Sequence, residues 1–232
     1  MLAIEVSNPS LSDGDEGSVA LCRIVNGEVE AITLQRLRSG SRHDDALMRG
    51  VDDACKEAGV APSDIAQVAV SAGPGGYTGL RIAMTTAKML GESLGAELVA
   101  VPTALVAAFG FTEDDPERAQ AGFIVTLASK RDSAWCQPFR GVDALDNGSL
   151  CDAQALAAMI ESSGAGTLLA DAHLPKDMLE VAQRAGTRIV APRLDARLCA
   201  MASVGLPSVS VDALTPIYPR EPEAVRKWRE GE

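Results

Sequence analysis

Residues 2–6 form a short apolar run with the length of a buried strand. A polar stretch over 7–16 follows, then two β-rich runs, 18–25 and 28–34, on either side of Asn26-Gly27. An Asn-Gly pair between such runs predicts a tight hairpin, so the chain is expected to open with three successive strands. Between 43 and 58 the period lengthens. Leu47, Val51, Ala54, Cys55 and Ala58 recur at helical spacing, with charges on the opposite face. A short buried strand is predicted at 65–71, a helix over 79–94 and a strand over 97–101. Strands joined by crossover helices indicate an α/β architecture with a mixed sheet.

The acidic stretch over 112–117 reads as a boundary, giving an N-terminal lobe of residues 1–111 and a C-terminal lobe of 112–232. Beyond it, 122–127 and 133–139 read as paired strands. Helical segments at 152–162, 175–185 and 195–204 then enclose short strands at 167–170 and 188–190, with Pro175 in a first helical turn. The second half thus repeats the element order of the first, without repeated words in the sequence.

Composition narrows the picture. Apolar residues make up 47% of the 232, enough for a real core, but aromatics only 3%, so that core is built from Ala, Val, Leu, Ile and Met. A net charge of −11 provides no footprint for gripping a phosphate backbone or an anionic membrane unaided. If the protein serves nucleic acid, a partner does the holding. The five cysteines are scattered and form no CxxC or Cys/His cluster, which points to buried, reduced thiols rather than zinc or disulfides. The N-terminus lacks the pattern of a signal peptide and no apolar run reaches membrane-spanning length, so a cytoplasmic location is expected.

The most informative segment is a glycine-rich turn between strand and helix, Val70-Ser-Ala-Gly-Pro-Gly-Gly-Tyr-Thr-Gly-Leu-Arg81. It is not a Walker loop, since no Gly-Lys-Ser/Thr follows, and Thr78 stands where a dinucleotide fingerprint has its third glycine. Residue chemistry alone makes it a tight turn with Thr78 as N-cap, or an anion site at the helix start. The helix behind it is apolar or small on nearly all sides. Leu80, Ala83, Met84, Ala87, Leu90 and Leu94 form one stripe; Ile82, Thr85, Thr86, Met89 and Ser93 lie opposite. Such a helix is buried on both sides, one against its sheet and the other against a partner or the second lobe.

Gly73-Pro-Gly-Gly-Tyr-Thr-Gly-Leu-Arg81 resembles the GPGSFTGLR signature of the TsaB (YeaZ) family. Arg42-His43 at the start of the first helix, Val101-Pro-Thr103 after a strand, and Pro216-Ile-Tyr-Pro-Arg-Glu-Pro-Glu-Ala224 near the end are similar to further family words. The resemblance is dense over 70–103 and 216–224 and thin between. It implies an actin-like/sugar-kinase-like (ASKHA) fold of two related lobes, each a mixed sheet with flanking helices. It also implies a non-catalytic paralogue of the TsaD transferase, which modifies adenosine 37 of tRNA. The implied partners are a TsaD-like subunit, a TsaE-like ATPase and a second copy of the chain, docked through the first lobe, with tRNA reached only indirectly. His43, Leu47, Val51, Thr78, Leu80, Ile82, Thr85, Thr86, Met89 and Ser93 are the residues expected at the partner interface.

An ATP site of this fold needs an acid at the end of the first strand and a second in the matching hairpin, to hold Mg²⁺ against the phosphates. Glu5 stands at the first position. At the second, where the family reads Asp-Ala-Arg, Ala128 replaces the acid. TsaD pairs two histidines one helical turn apart on a metal, but His43 is followed four residues later by Leu47. No catalytic residue, metal or cofactor is therefore expected. The competing readings are an ATP- or metal-dependent hydrolase or peptidase of the same superfamily, and a divergent homodimeric scaffold without TsaD. In the tail, Pro222 suits a helix start, and Arg226, Lys227 and Arg229 make either a basic contact or the favourable end of a docked helix carrying Trp228.

Overall fold

The computed structural model describes residues 1–7, 15–38, 43–220 and 228, with side chains left undescribed at 15, 16, 38 and 43–45. The expected contacts of the 8–14 loop, of the His43 side chain and of the basic tail lie outside the described residues.

Strand β1 (Leu2–Glu5) is wholly buried between two neighbours. β2 (Asp15–Val25) runs antiparallel to it and turns at Asn26-Gly27 into β3 (Glu28–Arg38). Asn26 has φ 54° and Gly27 φ 83°, the two left-handed residues that a tight hairpin turn requires. Helix α1 (His43–Ala58) crosses to β4 (Gln67–Gly73), and α2 (Tyr77–Leu94) crosses to β5 (Glu97–Pro102). β4 joins β1 in parallel and β5 joins β4 in parallel, giving the order β3-β2-β1-β4-β5. One face of this sheet packs Leu2, Ile4, Val68 and Val70 against Leu47, Val51, Ala83 and Ala87 of α1 and α2.

The second sheet repeats the plan. β6 (Phe123–Lys130) and β7 (Ser133–Arg140) form an antiparallel pair, extended by β8 (Asp143–Ala144). β10 (Thr167–Leu169) and β11 (Arg188–Val190) add in parallel on the other side of β6. The order β11-β10-β6-β7-β8 is that of the first sheet, element for element, with β9 (Ser149–Cys151) an addition on β7. Helices α5 (Ala153–Ser163) and α6 (Lys176–Arg184) pack on one face through Leu156, Ile160, Met178 and Ala182.

Two features bear on the expected division. The acidic stretch lies at the end of one helix and the start of the next. Helix α3 (Thr103–Asp114) runs through position 111/112, and α4 (Pro116–Ala121) starts two residues after it ends, capped by Asp115. α3 lies between the sheets: Ala104, Ala107 and Phe111 pack against Phe123 and Val125 of the second, while Val106 joins Val99 and Val101 of the first. The chain then returns. α7 (Ala196–Ser203) covers the other face of the first sheet, where Leu198, Cys199 and Ala202 meet Ala3, Ala20 and Ala69. Asp195 caps α7 through the Leu198 N–H at 2.9 Å, and Ser18 Oγ accepts the Ala196 N–H at 2.8 Å. All five cysteines are buried and none is disulfide-bonded.

Candidate partner interface and the closed cleft

The acid at the strand end where this fold would take a nucleotide is withdrawn into the protein. Glu5 is buried; its Oε1 accepts the Ser7 N–H at 2.7 Å and the Ser7 hydroxyl at 2.5 Å. Its Oε2 has no hydrogen-bond partner among the described residues. Burial pushes this carboxyl above its usual range, against the pull of the Ser7 and Ser71 hydroxyls and the Ser7 amide, with Asp195 adding to the rise.

The glycine-rich turn is committed in the same way. The Gly76 N–H donates to the Ser7 carbonyl at 2.6 Å, and the Gly73 N–H to Thr103 Oγ1 at 3.1 Å. Thr103 Oγ1 also shares a 2.8 Å hydrogen bond with Ser71. A Cβ on Gly75 would sit inside the van der Waals radius of the Ser7 carbonyl, and one on Gly79 would lie 2.5 Å from the Val6 carbonyl oxygen. These glycines are needed for the backbone of β1 to approach α2, so their closest neighbour is protein rather than a phosphate. Helix α2 starts at Tyr77 with Gly76 as its N-cap and no side-chain cap, which corrects the expectation that Thr78 caps it.

In the second sheet, Ala128 occupies the hairpin position of the expected acid, with φ 51°. Its carbonyl accepts Arg220 Nη1 at 2.6 Å, and Arg220 Nη2 donates to the carbonyl and hydroxyl of Ser133 at 2.7 and 3.0 Å. A cation from the tail therefore sits on the hairpin where the sequence lacks an acid. Among the described residues no three His, Cys, Asp or Glu side chains gather as a metal site.

The interface residues predicted from sequence divide by exposure. Leu47, Val51 and Leu80 are core, packed inside the first lobe, and Thr86 is nearly as buried. These four lie in the chain's own interior rather than on its surface. Thr78, Thr85, Met89 and Ser93 are exposed and Ile82 is half-buried. His43 opens α1, its side chain lying outside the described ones. The exposed positions form a row along α2 at four-residue spacing, Tyr77, Arg81, Thr85, Met89 and Ser93, with Ile82 on its flank. Met89 is 46% exposed, a large apolar side chain at the middle of a helix with no neighbour over it. Three residues quoted in the sequence words without a role hold this region in place: Thr103, Ser71 and Arg220.

Comparison with known proteins bears on both surfaces. Residues 38–131 match the model of the TsaD family, described as tRNA N6-adenosine threonylcarbamoyltransferase. Over 101 residues the chain is 35% identical to the tRNA threonylcarbamoyladenosine biosynthesis protein TsaB of Bacillus subtilis, the match spanning 44% of this chain and 40% of that protein. Each match covers less than half of the chain, so the chain is similar to TsaB over part of its length. YeaZ from Pseudomonas aeruginosa shares its fold with TM-score 0.68 at 16% identity, covering 94% of this chain and 98% of that one. A second Pseudomonas aeruginosa structure, described as similar to peptidase YeaZ, agrees at TM-score 0.68 and 17% identity with the same coverage. The chain thus has the expected actin-like, sugar-kinase-like fold, two mixed sheets with flanking helices. No helix among the described residues is long and apolar enough to cross a membrane.

Proposed function

We propose that this TsaB-like chain is a non-catalytic subunit in the formation of threonylcarbamoyladenosine at position 37 of tRNA. It acts by binding a TsaD-like catalytic partner, with a TsaE-like ATPase completing the assembly, and it also pairs with a second copy of itself. The observation that carries this reading is the exposed row of α2: uncharged at Thr85, Met89 and Ser93, and facing away from the chain's own core. The two acid positions support the non-catalytic half, since Glu5 is buried and hydrogen-bonded to Ser7 and the second-lobe position holds Ala128 under Arg220. The net charge of −11 supports indirect contact with tRNA, the partner supplying the cations.

A standard interface buries about 800 Å² per partner, and a charge placed in its desolvated seam is left uncompensated. Met89→Arg and Ile82→Glu are therefore expected to weaken capture of a purified TsaD-like subunit at least about tenfold, a loss of about 1.4 kcal/mol. Circular dichroism should stay native, because Met89 is exposed and Ile82 only half-buried. Undiminished capture by both variants would remove α2 as the docking face.

A further inference from the structure

Strand β9 brings a second cysteine onto β7. In the ladder between them, Ala134 pairs with Cys151 and Cys136 pairs with Ser149. Cys136 and Cys151 are therefore diagonal neighbours on one face of the sheet. Both sulfurs lean along that diagonal. Cys136 Sγ lies 3.6 Å from the carbonyl oxygen of Ala134, on the rung of Cys151. Cys151 Sγ lies 3.7 Å from the Ser149 carbonyl oxygen and 3.5 Å from its hydroxyl, on the rung of Cys136. The two thiols hydrogen-bond to each other and share one cluster with Leu156 and Ile160 of α5. That contact is the largest influence on both. It holds the Cys151 thiol below its ordinary value, against burial, with Ser149 helping and Asp152 opposing; with burial it pushes the Cys136 thiol up. A sulfur favoured as thiolate beside a protonated neighbour is the arrangement of an attacking and a resolving cysteine.

We infer that Cys136 and Cys151 are a reversible oxidation site, a dithiol that a peroxide converts to a disulfide tying β9 to β7. The Cys151 thiolate attacks one peroxide oxygen. An S–O bond forms, the O–O bond breaks, and the leaving hydroxide takes up the proton that the thiol gave up, forming water. The Cys136 sulfur then attacks the sulfenic sulfur of Cys151. The S–S bond forms, the S–O bond breaks, and hydroxide leaves with the Cys136 proton as a second water. The two sulfurs together lose two electrons and the peroxide gains them. Access follows from the edge position. Hydrogen peroxide is hardly larger than water, and β9 is three residues long, pairs only with β7 among the described strands, and exposes Ser149 and Leu150. Partial opening of such an edge admits a small oxidant without unfolding the lobe. Cys22 and Cys199 also share a cluster, in the first lobe, but burial dominates there and pushes both thiols up, Cys22 to about 11, so neither offers a thiolate. Burial raises Cys55 as well.

The experiment is a peptide map of the full chain, reduced, desalted and exposed to a few equivalents of hydrogen peroxide, with the remaining thiols alkylated after denaturation. Free thiols are expected to fall by two, from five to three. One cross-linked species should join the Cys136 and Cys151 peptides, about 2 Da lighter than the dithiol, run as a single chain on a non-reducing gel, and revert with dithiothreitol. Cys136→Ser is expected to stop at a sulfenic acid on Cys151 that dimedone traps, and Cys151→Ser to leave Cys136 unreacted. Circular dichroism checks both variants; where a serine at either place prevents folding, the wild-type map still decides. A wild type that keeps both cysteines alkylatable while its methionines oxidise overturns the inference. So does a cross-link between Cys22 and Cys199 in place of the expected one, a disulfide between two chains, or a sulfinic acid on Cys151 with Cys136 still free. A sulfenic acid on Cys136 in Cys151→Ser overturns the assignment of Cys151 as the attacking thiol.

Discussion

Burial of a carboxyl with one oxygen unpartnered, as at Glu5, penalises the ionised form, and the raised pKa records that penalty as a pH dependence. In the folded state its pKa lies above the unfolded value near 4.5, so the native chain binds more protons between the two. Its contribution is complete below the unfolded value and is lost as pH rises through the folded one. Glu113 has the opposite sign. Hydrogen bonding to Arg197, and then to Arg193, holds it at about 2, so its contribution is present above the unfolded value and lost as pH falls towards about 2. Glu5→Gln is expected to flatten the decline of melting temperature as pH rises above about 4.5 and to leave the acid limb unchanged. A variant whose melting curve keeps the wild-type slope across that range would show that Glu5 is not the titrating group. Glu5 and Ala128 were legible in the sequence because each sits at a fixed place on a strand or hairpin. Arg220 stood in the tail word, but its role was not legible, because its hydrogen bonds span 87 and 92 residues.

Among the elements, those with one buried face could be read closely. α1 (His43–Ala58) coincides with its expected limits, and α2 begins two residues early because Gly76 rather than Thr78 supplies the cap. α3 escaped for the reason that makes it central. It lies between two sheets, with Ala104, Val106, Ala107, Ala108 and Phe111 all buried, so no polar face remains to set a period. The acidic residues at its end read as a boundary because Glu113 and Asp114 face outward, where they pair with Arg193 and Arg197. The glycine-rich turn was recognised as a word, but its physical use, the backbone approach of β1, needed the fold. Gly75→Ala should therefore cost about 1–3 kcal/mol or more, since backbone on both sides must move. Gly27→Ala, with open space around it but φ 83°, should cost about 1–2 kcal/mol from strain alone. Urea midpoints for the two variants give the comparison. Equal or smaller loss at Gly75 would mean that the turn has room to relax.

At the scale of the molecule, the internal repeat is a repeat of topology, with strand order identical in both sheets and sequence divergent in both. The sequence showed the repeat of element types, but not that α7 leaves the second half to cover the first sheet. Nor did it show that Val209 pairs with Leu98 at that sheet's edge. The N-terminal 121 residues alone would leave Ala3, Ala20, Ala69, Val99 and Val101 without the α7 side chains that bury them. A fragment of residues 1–121 is expected to lack a cooperative thermal transition and to bind a hydrophobic dye, and a separate 194–220 peptide to restore the transition. A fragment that melts cooperatively by itself would show the first half to be autonomous. The return of α7 also sets a clock on biosynthesis. Roughly 100 residues separate the end of β5 from the end of α7, which at ~5–20 residues per second is about 5–20 s of translation. During that interval the nascent first sheet carries a bare apolar face out of the ribosome, so the newly made chain depends on chaperone capture until its last helix emerges to close it.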